Sequence, residues 1–220
     1  MIMSSLEPLW NIDMKDKIVA GAYEGIGDSY KTEIGMKPDD IYISAGNIML
    51  NLAEIRRRKL EENFKEFIHS HRQLSFVDQP VLNDCITNED KLLIPLNYNA
   101  YSIVFYLNYK NAKKAKRVSR YYTESQVLDA VSNPCIVHFT TCFMDGTRPW
   151  IENNNHPMIK QYLDYKQKSE WADTPLWKDN RSAVKKLGGK MFNILPQGFV
   201  AGSIGIVHDK IIPALHKIKK

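Results

Sequence analysis

A predicted strand leads into a predicted helix through the stretch Tyr42-Ile43-Ser44-Ala45-Gly46-Asn47-Ile48-Met49-Leu50-Asn51-Leu52. Residues Ile41–Leu50 are apolar enough for a strand buried on both faces, as in the parallel sheets of α/β proteins. Asn51 with Glu54 three positions later resembles a capping box. Apolar residues then recur at helical spacing as far as Ile68, which predicts one continuous amphipathic helix. A strand that passes directly into a helix favours an α/β fold.

Strands and helices alternate on both sides of this stretch. Upstream, Lys17–Ala22 predicts a short strand followed by a loop that contains several glycines. Downstream, Asp78 and Pro80 predict the start of a second helix, because Asp accepts a free first-turn amide and Pro is tolerated there. The other predicted elements are the strands Leu92–Pro95 and Cys135–Phe139 and the helix Glu124–Val131. The alternation indicates a layered α/β domain.

The net charge of +5 is concentrated near the C-terminal end. Residues 181–220 contain eight lysines and arginines against one acid, Asp209. Such a segment favours contact with anionic lipid head groups. Each Lys or Arg near a membrane surface contributes about 1 kcal/mol of binding free energy. The same composition is also typical of a solvated helix face, and the sequence leaves both interpretations open.

The compartment is predicted from what the chain contains. The first residues show no basic start and apolar block of a secretory signal, and no apolar run is suited to span a membrane. Three cysteines do not make an even disulfide framework. We therefore expect a cytoplasmic protein, with contact to the inner face of the membrane as an alternative.

Four segments resemble family 8 of the retaining glycosyltransferases, in that family's order. Ser5–Trp10 is similar to the stretch that directly follows the family's Asp-x-Asp metal motif, and no Asp-x-Asp precedes it here. Residues 42–52 are similar to the family's F-N-A-G-V-L-L-I-N-L. The resemblance implies that Ser44, Ala45 and Gly46 contact the donor sugar, because small residues let a ligand approach the backbone. Ser44 replaces the family's Asn, so its contact would be shorter or mediated by water.

The third segment, which runs from Asp78 to Asn83, resembles the family's D-Q-D-x-L-N. In that family the Asp holds donor-sugar hydroxyls and the Gln lies across the anomeric carbon, so the resemblance implies these catalytic-site roles for Asp78 and Gln79. A carboxylate orients hydroxyls well through charge-assisted hydrogen bonds. A helix cap without any ligand explains Asp78 equally well.

The fourth segment, Ile136–Phe139 followed by Gly146-Thr147-Arg148-Pro149-Trp150, resembles the family's I-x-H-F-x-G-x-x-K-P-W. The resemblance implies that His138 is a ligand of a divalent ion such as Mn²⁺, and that Gly146 and Arg148 belong to the donor-binding loop. Arg148 replaces Lys but keeps the charge for a diphosphate oxygen. The loop is four residues longer than the common pattern. A lone strand histidine is otherwise most often a satisfied core residue.

The resemblance implies the C-terminal portion of a GT-A, Rossmann-like nucleotide-diphospho-sugar transferase fold over residues 1–180, with a basic extension over 181–220. It also implies transfer of glucose or galactose from a UDP-hexose to a glycan or lipid-linked glycan acceptor, as in lipopolysaccharide or cell-surface glycan synthesis. We expect a chain that lacks the Asp-x-Asp ligands. The alternative is a catalytically inert fragment with a binding role.

The sequence contains only incomplete forms of motifs that are typical of other protein classes. Gly25-Ile26-Gly27 lacks the third glycine of a dinucleotide fingerprint, and Gly189-Lys190 lacks the hydroxyl residue of a phosphate loop. Cys135, His138 and Cys142 offer only three irregularly spaced zinc ligands. The basic, aromatic stretch 98–122 resembles a nucleic-acid surface, but the aromatics serve equally as acceptor-sugar platforms. We therefore expect no nucleic-acid partner.

Overall fold

The structure is a computed structural model that describes residues 1–71, 78–116, 121–140, 148–211 and 214. The strands of this part of the chain are β1 Val19–Tyr23, β2 Ile43–Leu50, β3 Lys91–Ile94, β4 Ala100–Tyr101 and β5 Val137–His138. The helices are α1 Glu7–Trp10, α2 Asp28–Glu33, α3 Leu52–Arg57, α4 Leu60–Ser70, α5 Gln79–Cys85, α6 Ile103–Tyr106, α7 Tyr109–Lys116, α8 Glu124–Ser132, α9 Ile159–Gln167, α10 Ala183–Ile194 and α11 Gln197–Ile206. Short 3₁₀ helices at Asn88–Asp90 and Leu96–Asn99 and a π-helical turn at Val207–Ile211 complete the set.

Two small sheets form the centre of the molecule. In the first sheet, β1 lies between β2, which is antiparallel to it, and β3, which is parallel. In the second sheet, β4 and β5 are parallel, with Tyr101 opposite His138. The chain start lies beside β5, since Met1 and Val137 exchange two backbone hydrogen bonds of 2.8 Å. Helices and strands alternate around both sheets, so the predicted α/β class is confirmed.

The predicted burial of β2 is wrong beyond its first two residues. Ile43 and Ser44 are buried, but from Ala45 onward the strand is partly or fully exposed. The physical reason is its position at the edge of the described sheet, where it pairs with β1 on one side only. The exposed part of β2 begins at Ala45, where the strand borders the site described below.

The helix predicted from Asn51 to Ile68 is divided into α3 and α4. Lys59 between them has φ of +54°, a left-handed conformation that ends one helix and starts the next at an angle. The Asn51 cap is confirmed, because its side chain accepts a hydrogen bond from the Glu54 amide at 3.2 Å. The Glu54 carboxylate binds Arg57 and Arg58 instead of the cap, so the reciprocal half of the box is absent.

The C-terminal helix α11 packs on α7. The contact is formed by buried small and aliphatic side chains, Leu107, Ala112, Ala115, Val200, Ala201 and Ile204. Burying each larger member contributes about 1.5–3 kcal/mol. The predicted domain boundary between residues 180 and 181 stays a prediction.

Candidate functional site

The first cavity, of about 420 Å³, lies where strands from both sheets end. Tyr101 ends β4, His138 ends β5, and Glu24 directly follows β1. Ligands of α/β proteins bind at such carboxyl ends, because the loops there leave a crevice lined by several strands. Six of the eight residues predicted from the sequence line this cavity: Ser44, Ala45, Gly46, Asp78, Gln79 and His138.

Asn83 fixes helix α5 against β2 and thereby positions the predicted donor residues. Its buried amide accepts from the Ile43 N–H at 2.7 Å and donates to the Ile43 and Gln79 carbonyls at 2.9 Å each. Lys91 adds a second bridge, since its ammonium group donates to the Ile41 and Asn83 carbonyls at 2.8 and 2.9 Å. Burial lowers the pKa of Lys91 to about 8. Two buried polar side chains therefore hold the cavity wall together.

Gln79 and Asp78 occupy the start of α5. The Gln79 side-chain oxygen accepts from the Ala45 N–H at 3.3 Å, which joins the helix start to the exposed half of β2. The Asp78 carboxylate accepts from the Gln79 N–H at 3.0 Å, so the predicted helix cap is confirmed. The Ser44 hydroxyl accepts from the Gly46 N–H at 3.2 Å. The Gln79 side chain is an amide without an ionisable group, so it cannot act as a general acid.

Gly46 lies directly against the ring of His138. A Cβ added at Gly46 would stand 2.2 Å from His138 Nδ1 and Cε1, closer than atoms approach in proteins. The Asn99 side-chain oxygen would lie 3.1 Å from the same Cβ. Only glycine permits this contact between β2 and the end of β5.

His138 differs from the second histidine nearby, His156. The Nδ1 of His138 is buried without a hydrogen-bond partner among the described residues. Burial lowers its pKa below the ordinary histidine value; the Glu24 charge opposes this shift and the Arg148 charge adds to it, so the neutral imidazole predominates at pH 7. In His156, Nδ1 accepts from the Met158 N–H and Nε2 contacts the Ser102 hydroxyl, each at 3.0 Å. His156 is therefore a satisfied core residue, whereas His138 keeps a nitrogen available.

The residues present do not by themselves make the predicted Mn²⁺ site. Within the described ranges, no three His, Cys, Asp or Glu side chains are grouped so that they could hold an ion. The unpartnered Nδ1 of His138 suits one ligand position, but a divalent ion needs several. The metal stays a prediction, and no step of the reaction is derived through it.

Glu24, Lys116 and Tyr101 also line the first cavity. Tyr101 and Lys116 lie in the basic, aromatic stretch 98–122 without having been singled out there, and Glu24 was not predicted. The Lys116 ammonium group lies 2.5 Å from the Glu24 carboxylate and 4.8 Å from the centre of the Tyr101 ring. Glu24 is separated from Lys116 by 92 positions, so no local pattern links them. The one available signal for Glu24 was its place at the end of a predicted strand, before a glycine-containing loop.

Arg148 does not line the first cavity, and Gly146 lies outside the described residues. Arg148 lines a second cavity of about 780 Å³, and its guanidinium group is 5.3 Å from the centre of the Trp150 ring. The Trp177 side chain lines the same cavity and is 67% exposed. The predicted role of Arg148 on the donor diphosphate stays a prediction.

Among the described helices, none combines the length and apolar character needed to cross a membrane.

A sequence comparison relates the chain to known proteins. The family model described as glycosyl transferase family 8 matches residues 1–154. General stress protein A of Bacillus subtilis strain 168 is 24% identical over 174 residues, which cover 78% of this chain and 57% of that protein. The chain thus spans little more than half the length of this relative.

Solved structures share the fold. The galactosyltransferase LgtC, crystallised with donor and acceptor sugar analogs, superposes with a TM-score of 0.58 at 17% identity, covering 77% of this chain and 58% of that one. The bifunctional glycosyltransferase WbbM in its apo form superposes with a TM-score of 0.62 at 15% identity, covering 78% of this chain and 32% of that one. The predicted GT-A fold class is confirmed by these likenesses.

Proposed function

The chain belongs to glycosyl transferase family 8, and on that premise we propose that it contributes to transfer of glucose or galactose from a UDP-hexose to a glycan hydroxyl, with retention of configuration. The observation that carries the proposal is the first cavity, in which six residues implied by the family resemblance come together from three separate segments. Its volume of about 420 Å³ falls in the range of about 300–1,000 Å³ common for small-ligand sites.

Each lining group has a chemical task in this proposal. The carboxylates of Asp78 and Glu24 accept hydrogen bonds from sugar hydroxyls, and charge makes those bonds strong. The exposed backbone at Ala45 and Gly46 lets the sugar ring approach β2 closely. Gln79 supplies an amide beside the reacting carbon. His138 is neutral at pH 7, and its free nitrogen is offered as a single ligand to a divalent ion.

We assign the retention of anomeric configuration to a front-face reaction, in which the acceptor attacks from the same side of the sugar that the phosphate leaves. An amide such as that of Gln79 is a poor nucleophile, and the Glu24 carboxylate is already held by Lys116 at 2.5 Å. The bond between the anomeric carbon and the phosphate oxygen breaks, and the acceptor oxygen bonds to that carbon from the same face. The acceptor proton passes to the departing phosphate, which leaves as part of UDP.

The transfer is tested by incubating the protein with UDP-glucose or UDP-galactose and an oligosaccharide acceptor, and by following the product anomeric proton by NMR. We expect a retained α-linkage and a rate about 10²-fold lower for Gln79→Ala. Gln167→Ala, on the exposed face of α9, is the matched control and should leave the rate unchanged. An inverted product would contradict the front-face reaction.

A second candidate function is sugar or acceptor binding without transfer. It is favoured by one observation, namely that the described residues hold no group of three potential metal ligands. Calorimetric titration with UDP and MnCl₂ separates the two candidates. No micromolar binding of UDP together with measurable acceptor binding supports the binding role, whereas tight UDP binding supports the transferase.

We also propose peripheral contact with an anionic membrane through α10, at the cytoplasmic face. One stripe of this helix is strongly exposed and apolar, with Val184 81%, Leu187 61%, Met191 52% and Ile194 84% exposed. Lysines 185, 186 and 190 lie on the same helix and suit anionic head groups.

Membrane contact is tested by sedimentation with phosphatidylglycerol vesicles. Val184→Ser with Ile194→Ser should reduce the bound fraction strongly, because the apolar stripe loses its two most exposed members. Leu128→Ser, at an exposed apolar position of α8, is the control. Equal binding of all three proteins would contradict the contact.

A further inference from the structure

The second cavity carries an excess of positive charge. Four cationic side chains line it together with two indole rings: Arg148, Lys178, Arg181, Lys185, Trp150 and Trp177. Asp179 is the one acidic residue among the lining residues that the structure describes. This combination differs from the first cavity, in which Glu24, Asp78 and Lys116 nearly balance.

The charge of Asp179 is already neutralised within the cavity wall. Its two carboxylate oxygens accept from Arg181 at 3.0 Å each, and the Lys186 ammonium group lies 3.7 Å away. Hydrogen bonding from Arg181 lowers the pKa of Asp179 to about 2, so this carboxylate stays ionised and paired. In the described part of the chain, no carboxylate lies within ion-pair distance of Arg148, Lys178 or Lys185. Within the described ranges, three positive charges on the cavity wall therefore have no carboxylate partner.

Backbone hydrogen bonds join the two chain segments that carry the indole rings. The Trp177 N–H donates to the Trp150 carbonyl at 2.9 Å, and the Glu152 N–H donates to the Trp177 carbonyl at 2.8 Å. The Trp150 ring also packs edge-on against Phe139 at 6.3 Å between centroids. An exposed indole offers a flat apolar face and one N–H donor, which suits the C–H face and hydroxyls of a sugar ring.

We propose that the second cavity binds an anionic sugar, a hexose that carries a phosphate or carboxylate group, as a distal part of the acceptor glycan. The sugar ring lies on the exposed Trp177 ring, next to Trp150, and its anionic group is bound by Lys178 and Lys185. Trp150 connects this cavity to the first one, because its ring packs edge-on against Phe139, the residue that directly follows His138 in the chain. The assignment rests on the proposed function, since it names the class of acceptor.

The test is an NMR titration of the unmodified chain with galactose 6-phosphate, galactose and inorganic phosphate, observed at the tryptophan indole signals. We expect galactose 6-phosphate to shift two indole signals saturably, with galactose binding at least about tenfold more weakly. Trp177→Phe assigns one of the two signals. Trp10, which is not part of the cavity lining, is the internal reference.

Charge variants complete the test. Lys178→Gln with Lys185→Gln should weaken galactose 6-phosphate about tenfold or more, because two charge-assisted contacts are lost. Lys190→Gln, on the same helix α10 but outside the cavity lining, should bind as the unmodified protein does. All three positions are exposed, so the fold should tolerate the changes, and circular dichroism checks this.

Three results would overturn the inference. Equal affinity for inorganic phosphate and galactose 6-phosphate, without indole shifts, would mean that the cavity binds anions non-specifically and does not bind the sugar ring. Saturation by phosphatidylglycerol vesicles with no response to the sugar phosphate would assign it to a lipid. If none of the titrated compounds bound, the second cavity would not be a ligand-binding site. None of these titrations requires a donor sugar or transfer, so failure here is distinguishable from failure of the transferase proposal.

Discussion

The two cavities are built in different physical ways. The first cavity is built from buried bridges and a backbone contact so close that only glycine fits between β2 and His138. The second cavity is built from exposed cations around two indole rings. Close packing and buried hydrogen bonds define the wall of the first cavity, whereas solvent-exposed charges define the wall of the second. Substitutions should therefore act on stability in the first region and mainly on binding in the second.

The largest effect is expected at Asn83. Asn83→Ala removes three hydrogen bonds and leaves the buried Ile43 N–H without its partner, so the free energy of unfolding should fall by about 2–4 kcal/mol. Urea denaturation followed by circular dichroism measures the change. Asn133→Ala, an exposed asparagine after α8, is the control and should change the value by less than about 0.5 kcal/mol. If Asn83→Ala and Asn133→Ala lost similar amounts of unfolding free energy, buried hydrogen bonds would not be what stabilises the first cavity.

Gly46→Ala should cost about 1–3 kcal/mol of unfolding free energy, because the added methyl group overlaps the His138 ring. If that overlap is the cause, the substitution should cost less in a His138→Ala background. The four proteins form a double-mutant cycle measured by denaturation. Additive effects would mean that the close contact does not govern this wall of the first cavity.

The buried Lys91 should make the stability of the protein depend on pH. Lys91 loses its proton near pH 8 in the folded protein because of burial, but near 10.5 when unfolded. In this window the unfolded state binds more protons, so stability rises with pH. Between pH 8 and 9.5, the unmodified protein should gain about 1–2 kcal/mol relative to Lys91→Met.

The matched measurement for the second cavity is Lys185→Met. Lys185 is exposed, so its replacement should change the free energy of unfolding at a fixed pH by less than about 0.5 kcal/mol. A change as large as that for Lys91→Met would show that burial is not what distinguishes the two lysines.

The smallest effect is expected on α10 beside the second cavity. Gly188 lies inside this helix, and a Cβ added there meets no atom within 4 Å. Gly188→Ala should raise the free energy of unfolding by about 0.5–1 kcal/mol, because alanine restricts the unfolded chain more than glycine does. Thermal denaturation would register this as a higher midpoint, and a lower midpoint would mean that the helix needs glycine at this position.

The local elements could be predicted because their signals are local. Asn51 and Asp78 cap helices through amides at most three residues away, and the strand at Val19–Tyr23 follows from a run of apolar residues. The break at Lys59 and the exposure of β2 could not be predicted in this way. Both depend on which neighbours pack against the chain, and periodicity carries no information on neighbours.

By itself the sequence determined the α/β class, about half of the described strands and helices and, through four ordered segments, the family. Only the tertiary structure decided that His138 contacts Gly46, that Glu24 pairs with Lys116, and that Arg148 lines a cavity with Trp177. Hydrogen bonds and apolar periodicity act over a few residues and are visible in a single segment. Contacts across about 90 positions, such as those of Glu24 and of Gly46, form only when the core brings whole elements together.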